Sequence, residues 1–281
     1  MKLSQIILIS VLLIGLIAAS GCIGTEEDNS SQGELCSNSK YQTERKNISH
    51  LDRELIVLTI ESKRKLRNSM ENQGGEALSE ISDLDCLEKV STSYHRGLQI
   101  SNISALSKLE NLKDLDLGQS DLTSLEPVSH LKKLESLDLR QGEISTQSDV
   151  PNLAPLSDLD NLKELYLERA SVSNLSALSS IQSLEELYLV SSNARDLEGF
   201  SNLSNLRVLE LSHTPVSNVS PLSDLNDLEK LDLEGTQVSD VSPLYGLDNL
   251  RVLDLFGSKV SKDDCEDLKR NLTDTEIECA F

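Results

Sequence analysis

The sequence predicts an α/β solenoid, a stack of short strands joined edge to edge in one continuous parallel sheet, and three observations carry the prediction. The pattern Leu-x-x-Leu-x-Leu recurs seven times, from Leu112, Leu134, Leu162, Leu184, Leu206, Leu228 and Leu250, at intervals of 22 residues with a single interval of 28. Between ladders, apolar residues fall every third position, as in Val216, Val219, Leu222, Leu225 and Leu228, or Val238, Val241, Leu244, Leu247 and Leu250. Aromatics are scarce, with 5 Tyr, 3 Phe and no Trp, so the core has to be aliphatic.

The N-terminus comes first. Lys2 precedes an apolar run from Ile6 to Ala19, too short to span a bilayer but suited to a signal-peptide core over residues 1–21. It ends in Ala19-Ser20-Gly21-Cys22, which resembles a prokaryotic lipoprotein cleavage site, and the resemblance implies a lipid on Cys22. Residues 22–45 are polar and read as a flexible tether. Over 46–89, Leu51, Leu55, Leu58, Leu66 and Met70 share one helical face before Gly74-Gly75, which predicts a helical cap on the first repeat.

The repeats are expected over 90–259. Leucines that alternate with polar residues, as in Leu253-Asp254-Leu255, predict a short strand with leucines facing in. The period of three predicts 3₁₀ turns for the return. No such unit buries its leucines alone, so the units must stack. Counting back 22 residues from Leu112 gives Val90 as the first rung, with Ser93 and His95 in its later ladder positions. Counting forward from Leu250 gives Leu272, then Thr275 and Ile277. The longer interval places an edge bulge at Ser145 to Asp149, because the period of three resumes at Val150. Over 260–281, Cys265, Leu268 and Leu272 share a helical face, which predicts a C-terminal cap.

Besides Cys22, four cysteines remain, Cys36, Cys86, Cys265 and Cys279, an even set suited to an exported chain. Three pairings are formally open. A linear stack of strands about 4.8 Å apart separates the two ends by nearly 40 Å, so the expected bridges close each cap, Cys36 with Cys86 and Cys265 with Cys279. No metal site or cofactor is expected, since no cysteine pair has ligand spacing and His50, His95, His130 and His213 are scattered.

Units such as Leu228-Glu-Lys-Leu-Asp-Leu-Glu-Gly-Thr-Gln-Val-Ser-Asp-Val-Ser-Pro-Leu244 resemble the 22-residue leucine-rich repeats of internalins and of a phosphatase-regulatory protein. The resemblance implies a curved horseshoe with the sheet on its concave face, protein binding on that face, and no catalysis. Where that family carries an Asn ladder after the strand, this chain has Ser120, Gly142, Ala170, Ser192, Thr214, Thr236 and Ser258, and Gly142 and Ala170 predict less regular turns beside the long unit.

A net charge of −21 argues against nucleic acid as a partner, and no catalytic motif stands in the chain, so an enzyme is not expected. Seven Asn-x-Ser/Thr sequons occur, most of them inside the repeat consensus. The informative surface is the outward column between the last two ladder leucines: Tyr94, Asp116, Asp138, Tyr166, Tyr188, Glu210, Asp232, Asp254 and Glu276. Flanking columns add Asp114, Glu164, Glu168, Glu186 and Glu234, with Arg96, Arg140, Arg169 and Lys230, and apolar Val190, Val208, Val252 and Phe256. With the anchor that the resemblance at Cys22 implies, the reading is a membrane-anchored lipoprotein on the extracytoplasmic face, and the column composition predicts that it binds a protein with a basic surface around Tyr166 and Tyr188. Alternatives are an envelope scaffold using its edges, or a calcium- or glycan-binding module using the acidic column.

Overall fold

The computed structural model describes residues 17–18, 88–91, 100–141, 152–172 and 174–279. Ten strands form one open sheet in sequence order. They are β1 (Ile17–Ala18), β2 (Lys89–Ser91), β3 (Asp114–Asp116), β4 (Ser136–Asp138), β5 (Glu164–Tyr166), β6 (Glu186–Tyr188), β7 (Val208–Glu210), β8 (Lys230–Asp232), β9 (Val252–Asp254) and β10 (Glu276–Glu278). From β2 to β10 the pairing is parallel throughout, and the central leucines align as Leu115, Leu137, Leu165, Leu187, Leu209, Leu231 and Leu253. The long interval leaves this register intact, because Leu137 still pairs with Leu165. Most of the expected signal peptide, the tether and most of the N-terminal cap, with the Ser145 to Asp149 bulge, lie outside the described residues, although Ile17 and Ala18 lie antiparallel on Val90 and Lys89.

The expected 3₁₀ turns return the chain between strands, for example at Ser176–Ser180 and Ser220–Leu222. Each turn is started by a side chain accepting the backbone N–H two residues on: Asn102, Ser124, Asn152, Asn174, Asp196, Asn218 and Asp240 do so at 2.8 to 3.1 Å. This explains the sequons at Asn102, Asn174 and Asn218, whose amide oxygens shape the turn. The core is a single aliphatic column, with Leu206, Leu209 and Leu211 fully buried. Phe200 replaces a leucine there. It follows Gly199, whose φ of +87° and whose ideal Cβ, only 2.8 Å from the Ser179 Cβ, require glycine.

Hydroxyls after the strand replace part of the missing Asn ladder. Thr214 and Thr236 donate to the carbonyls of Leu211 and Leu233 at 2.6 and 2.7 Å. Ser192 and Ser258 accept from Ala194 and Val260 at 3.3 and 3.4 Å. The turn at Ala170 is as regular as the others, contrary to expectation, because its backbone N–H reaches the Leu167 carbonyl at 3.1 Å without help from a side chain. Amide ladders run instead just before the strands, where Asn161, Asn205 and Asn249 donate to the preceding repeat's Lys132, Gln182 and Asn226 carbonyls at 2.7, 2.7 and 2.8 Å.

Both ends depart from the counted register. Val90 aligns with Leu115 and Ser91 with Asp116, a step of 25 residues, so the outward column begins at Ser91 and not at Tyr94. Tyr94 and His95 themselves lie outside the described residues. At the other end Glu278, not Glu276, aligns with Asp254, and Glu276 aligns with Val252. The cause is the α-helix α1 (Lys262–Asn271), which replaces the 3₁₀ return and rises less per residue, so more residues are needed to reach the next strand. Ser261 caps α1 by accepting the Asp264 N–H at 3.1 Å. Cys265 and Leu268 of α1 are buried, and Cys265 forms a disulfide with Cys279 across a separation of 14 residues. Cys22, Cys36 and Cys86 lie outside the described residues.

Candidate binding face

Alternation along each three-residue strand turns the central leucine into the core and its two neighbours outward onto the concave face. Two outward columns result, and the residue two positions beyond each strand end adds a third. The middle one reads Ser91, Asp116, Asp138, Tyr166, Tyr188, Glu210, Asp232, Asp254 and Glu278.

Its aspartates do structural work first. Asp116, Asp138, Asp232 and Asp254 each accept the N–H two residues ahead, from Gly118, Arg140, Glu234 and Phe256, at 2.8 to 3.0 Å. An aspartate here therefore satisfies a donor that the strand end would otherwise leave unpaired. Asp138 departs furthest from an open acidic column: it is only 7% exposed, because the Arg140 guanidinium folds over it and binds it through Nε and Nη2. Asp232 keeps an open side, and burial, with Asp254 and Glu210 nearby, raises its carboxyl above the usual range.

Tyr166 and Tyr188 sit in register on β5 and β6, and their rings stack with centroids 4.7 Å apart and planes within 4°. Their hydroxyls donate to the carboxylates two residues back, Tyr166 to Glu164 at 3.2 Å and Tyr188 to Glu186 at 2.6 Å. Burial, together with Glu164, pushes the Tyr166 hydroxyl up to about 12, and burial with the Glu186 hydrogen bond pushes Tyr188 up as well. The Arg140 guanidinium lies 5.3 Å from the Tyr166 ring centroid. One Arg140 side chain thus joins Asp138, Tyr166 and, at 3.8 Å, Glu168. Glu168 holds a buried Oε2 without a hydrogen-bond partner, and burial raises its carboxyl.

The site expected from the sequence is therefore assembled in part. Tyr166 and Tyr188 come together, with Val190 and Val208 half-buried beside them. Each ring covers a face of the other, so the apolar patch is smaller than two open rings would make. Glu210 is neutralised by Lys230 at 2.7 Å. Arg169 is exposed in the left-handed turn after β5, with φ of 59°. Asp232, Glu234 and Asp254 bring one carboxylate oxygen each within 4.8 Å of one another at the C-terminal end.

One feature of the sheet flank escapes a reading of the outward columns. The residue after the first leucine of each ladder alternates in sign along the solenoid: Glu88, Lys113, Glu135, Lys163, Glu185, Arg207, Glu229 and Arg251. Ion pairs link Lys113 to Glu88 at 3.2 Å, Lys163 to Glu135 and Glu185 at 3.9 and 4.0 Å, and Arg207 to Glu229 at 2.9 Å. A repeat looped out of the stack would set like charges side by side, so the ladder favours the full register.

Residues 204–246 match the model of the family described as leucine-rich repeats in two copies. The solenoid is built of leucine-rich repeats. Among solved leucine-rich repeat structures, it is similar to an internalin C2 from Listeria monocytogenes, at 22% identity over 73% of this chain and 92% of that one, with a TM-score of 0.61. It is also similar to a leucine-rich repeat protein from Leptospira interrogans, at 25% identity over 71% of this chain and 50% of the other, with a TM-score of 0.62. A plant peptide hormone receptor solved in complex with RGF2 is similar at 17% identity, over 72% of this chain and 33% of the receptor, with a TM-score of 0.56. No curated protein sequence matches the chain.

Proposed function

We propose that this protein is a non-catalytic, surface-anchored lipoprotein whose concave leucine-rich repeat face binds another protein, with the Tyr166 and Tyr188 stack at the centre of contact. The stack is the observation that carries the reading. Two rings fixed by each other, by Glu164, by Glu186 and by Arg140 lose little side-chain freedom on binding. Rigid tyrosines and arginines are the side chains in which interface affinity concentrates. The acidic surround favours a partner with a basic surface. The fold can serve this role, as the plant receptor in complex with RGF2 illustrates.

The Ala19-Ser20-Gly21-Cys22 junction supports the anchoring half of the proposal. Cleavage before Cys22 would remove β1 and leave β2 as the first strand of the sheet. Metabolic labelling with a lipid precursor should mark the wild type and not Cys22→Ser; a labelled variant would contradict the anchor. For the face, Tyr166→Ala with Tyr188→Ala should weaken capture of the cellular partner at least about tenfold and leave the fold intact. Normal capture by that double variant, with loss on changing Ser145 to Asp149, would move the site to the edge.

A further inference from the structure

Among the described residues the large apolar side chains most open to solvent are Val252, 37% exposed, and Phe256, 47% exposed. They stand two residues before and two after Asp254, Val252 on β9 and Phe256 in the turn just beyond its end, about 13 Å apart for four residues of extended chain. Asp254 aligns with Asp232 on the neighbouring β8, and with Glu234 these form the trio of carboxylates within 4.8 Å of one another. No lysine or arginine among the described residues pairs with the trio. Lys230 is committed to Glu210 at 2.7 Å, and the nearest basic ring, His213, lies 3.7 Å from Glu234. An apolar pair with an unneutralised negative centre therefore lies open on the C-terminal part of the sheet.

We infer that this surface docks an extended segment of a partner protein that carries a lysine with an apolar residue two positions before it and another two positions after it. The inference rests on the protein-binding reading of the face and adds the place and the partner's chemistry. In an extended segment, side chains at the first, third and fifth positions point the same way and span the same 13 Å or so as Val252 and Phe256. The outer two cover those side chains and the middle one reaches Asp254. An ammonium group has three donors in tetrahedral directions, and acceptors at about 2.8 Å from it stand about 4.6 Å apart. The Asp232, Glu234 and Asp254 oxygens, all within 4.8 Å of one another, fall inside that reach. A planar guanidinium fits three acceptors arranged this way less well.

The test uses the full chain and two fluorescein-labelled, end-blocked peptides of one composition, followed by fluorescence anisotropy at about 150 mM salt. The patterned peptide is Ser-Leu-Thr-Lys-Thr-Leu-Ser and the scrambled one is Leu-Ser-Lys-Leu-Ser-Thr-Thr. The patterned peptide should bind at least about fivefold more tightly, Phe256→Ser should abolish that preference, and Asp254→Asn should weaken binding by a similar factor. Ser129→Ala, on the 3₁₀ turn Glu126–His130 of the opposite side, should leave it unchanged. Equal binding of the two peptides, or indifference to Phe256→Ser, would overturn the inference. Displacement of the peptide by about 2 mM Ca²⁺, with a rise in Tm, would overturn it in favour of a cation site. Failure here with tyrosine-dependent partner capture intact would refute this docking surface alone, whereas loss of both would refute the concave face.

Discussion

Removing the Arg140 guanidinium should cost more than removing the carboxylate it covers. Asp138 is 7% exposed and accepts the Arg140 backbone N–H at 2.9 Å as well as the guanidinium. Arg140→Ala strips that carboxylate of its counter-charge and of the two guanidinium hydrogen bonds, which should cost about 1.5 to 3 kcal/mol, the range for hydrogen bonds to charged groups. Half of the Arg140 side chain stays in water, which places the value in the lower part of that range. Asp138→Asn keeps a backbone acceptor and removes the charge, so in the Arg140→Ala background it should restore part of the loss. A double-mutant cycle by urea unfolding should give a coupling of at least about 1 kcal/mol. Because Arg140 also lies over Tyr166, its loss should weaken partner capture, whereas Asp138→Asn alone should have a smaller effect. Single-variant effects that add within about 0.5 kcal/mol would refute the claim that the two groups act as a unit.

Leu209→Ala, in the fully buried central column, should cost about 3 to 5 kcal/mol in urea unfolding, while Tyr188→Ala should cost well under half of that. In absorbance titrations near pH 10 to 12, Tyr166→Phe should remove a late-ionising tyrosine, since the Tyr166 hydroxyl is raised to about 12. The folded value lies above the unfolded value of about 10, so this group's stabilisation is complete below pH 10 and is lost as pH rises towards 12. Both tyrosines keep part of their surface in solvent, so the stability change should stay on the order of 1 kcal/mol or less. Reducing Cys265–Cys279, which closes a loop of 14 residues, should cost about 3 kcal/mol, and hydrogen exchange should rise first in α1 and β10.

Most of the repeat is legible in the sequence because one requirement recurs: Leu206, Leu209 and Leu211 can be buried only if the next unit presents the same three positions. That constraint weakens at the ends. The step into β3 is 25 residues and α1 replaces the last return, so counting by 22 misplaces Tyr94 and Glu276 although every internal rung is right. The Tyr166 and Tyr188 pairing follows from parallel register alone. The covering of Asp138 does not, because it depends on how the chain leaves β4 and turns Arg140 back; the trace in the sequence is the Asp-x-Arg spacing of Asp138 and Arg140. The alternating charges from Glu88 to Arg251 are also visible in the sequence, but they gain meaning only once consecutive repeats are known to be neighbours.

The central claim is that binding takes place on the concave sheet face. A photo-crosslinking amino acid placed at Tyr188 or Lys230, on that face, and at Ser129 or Ser179, on the 3₁₀ turns of the opposite side, tests it directly in cells. The account predicts a crosslinked partner from the first two positions and none from the others. Crosslinking confined to Ser129 or Ser179 would contradict it.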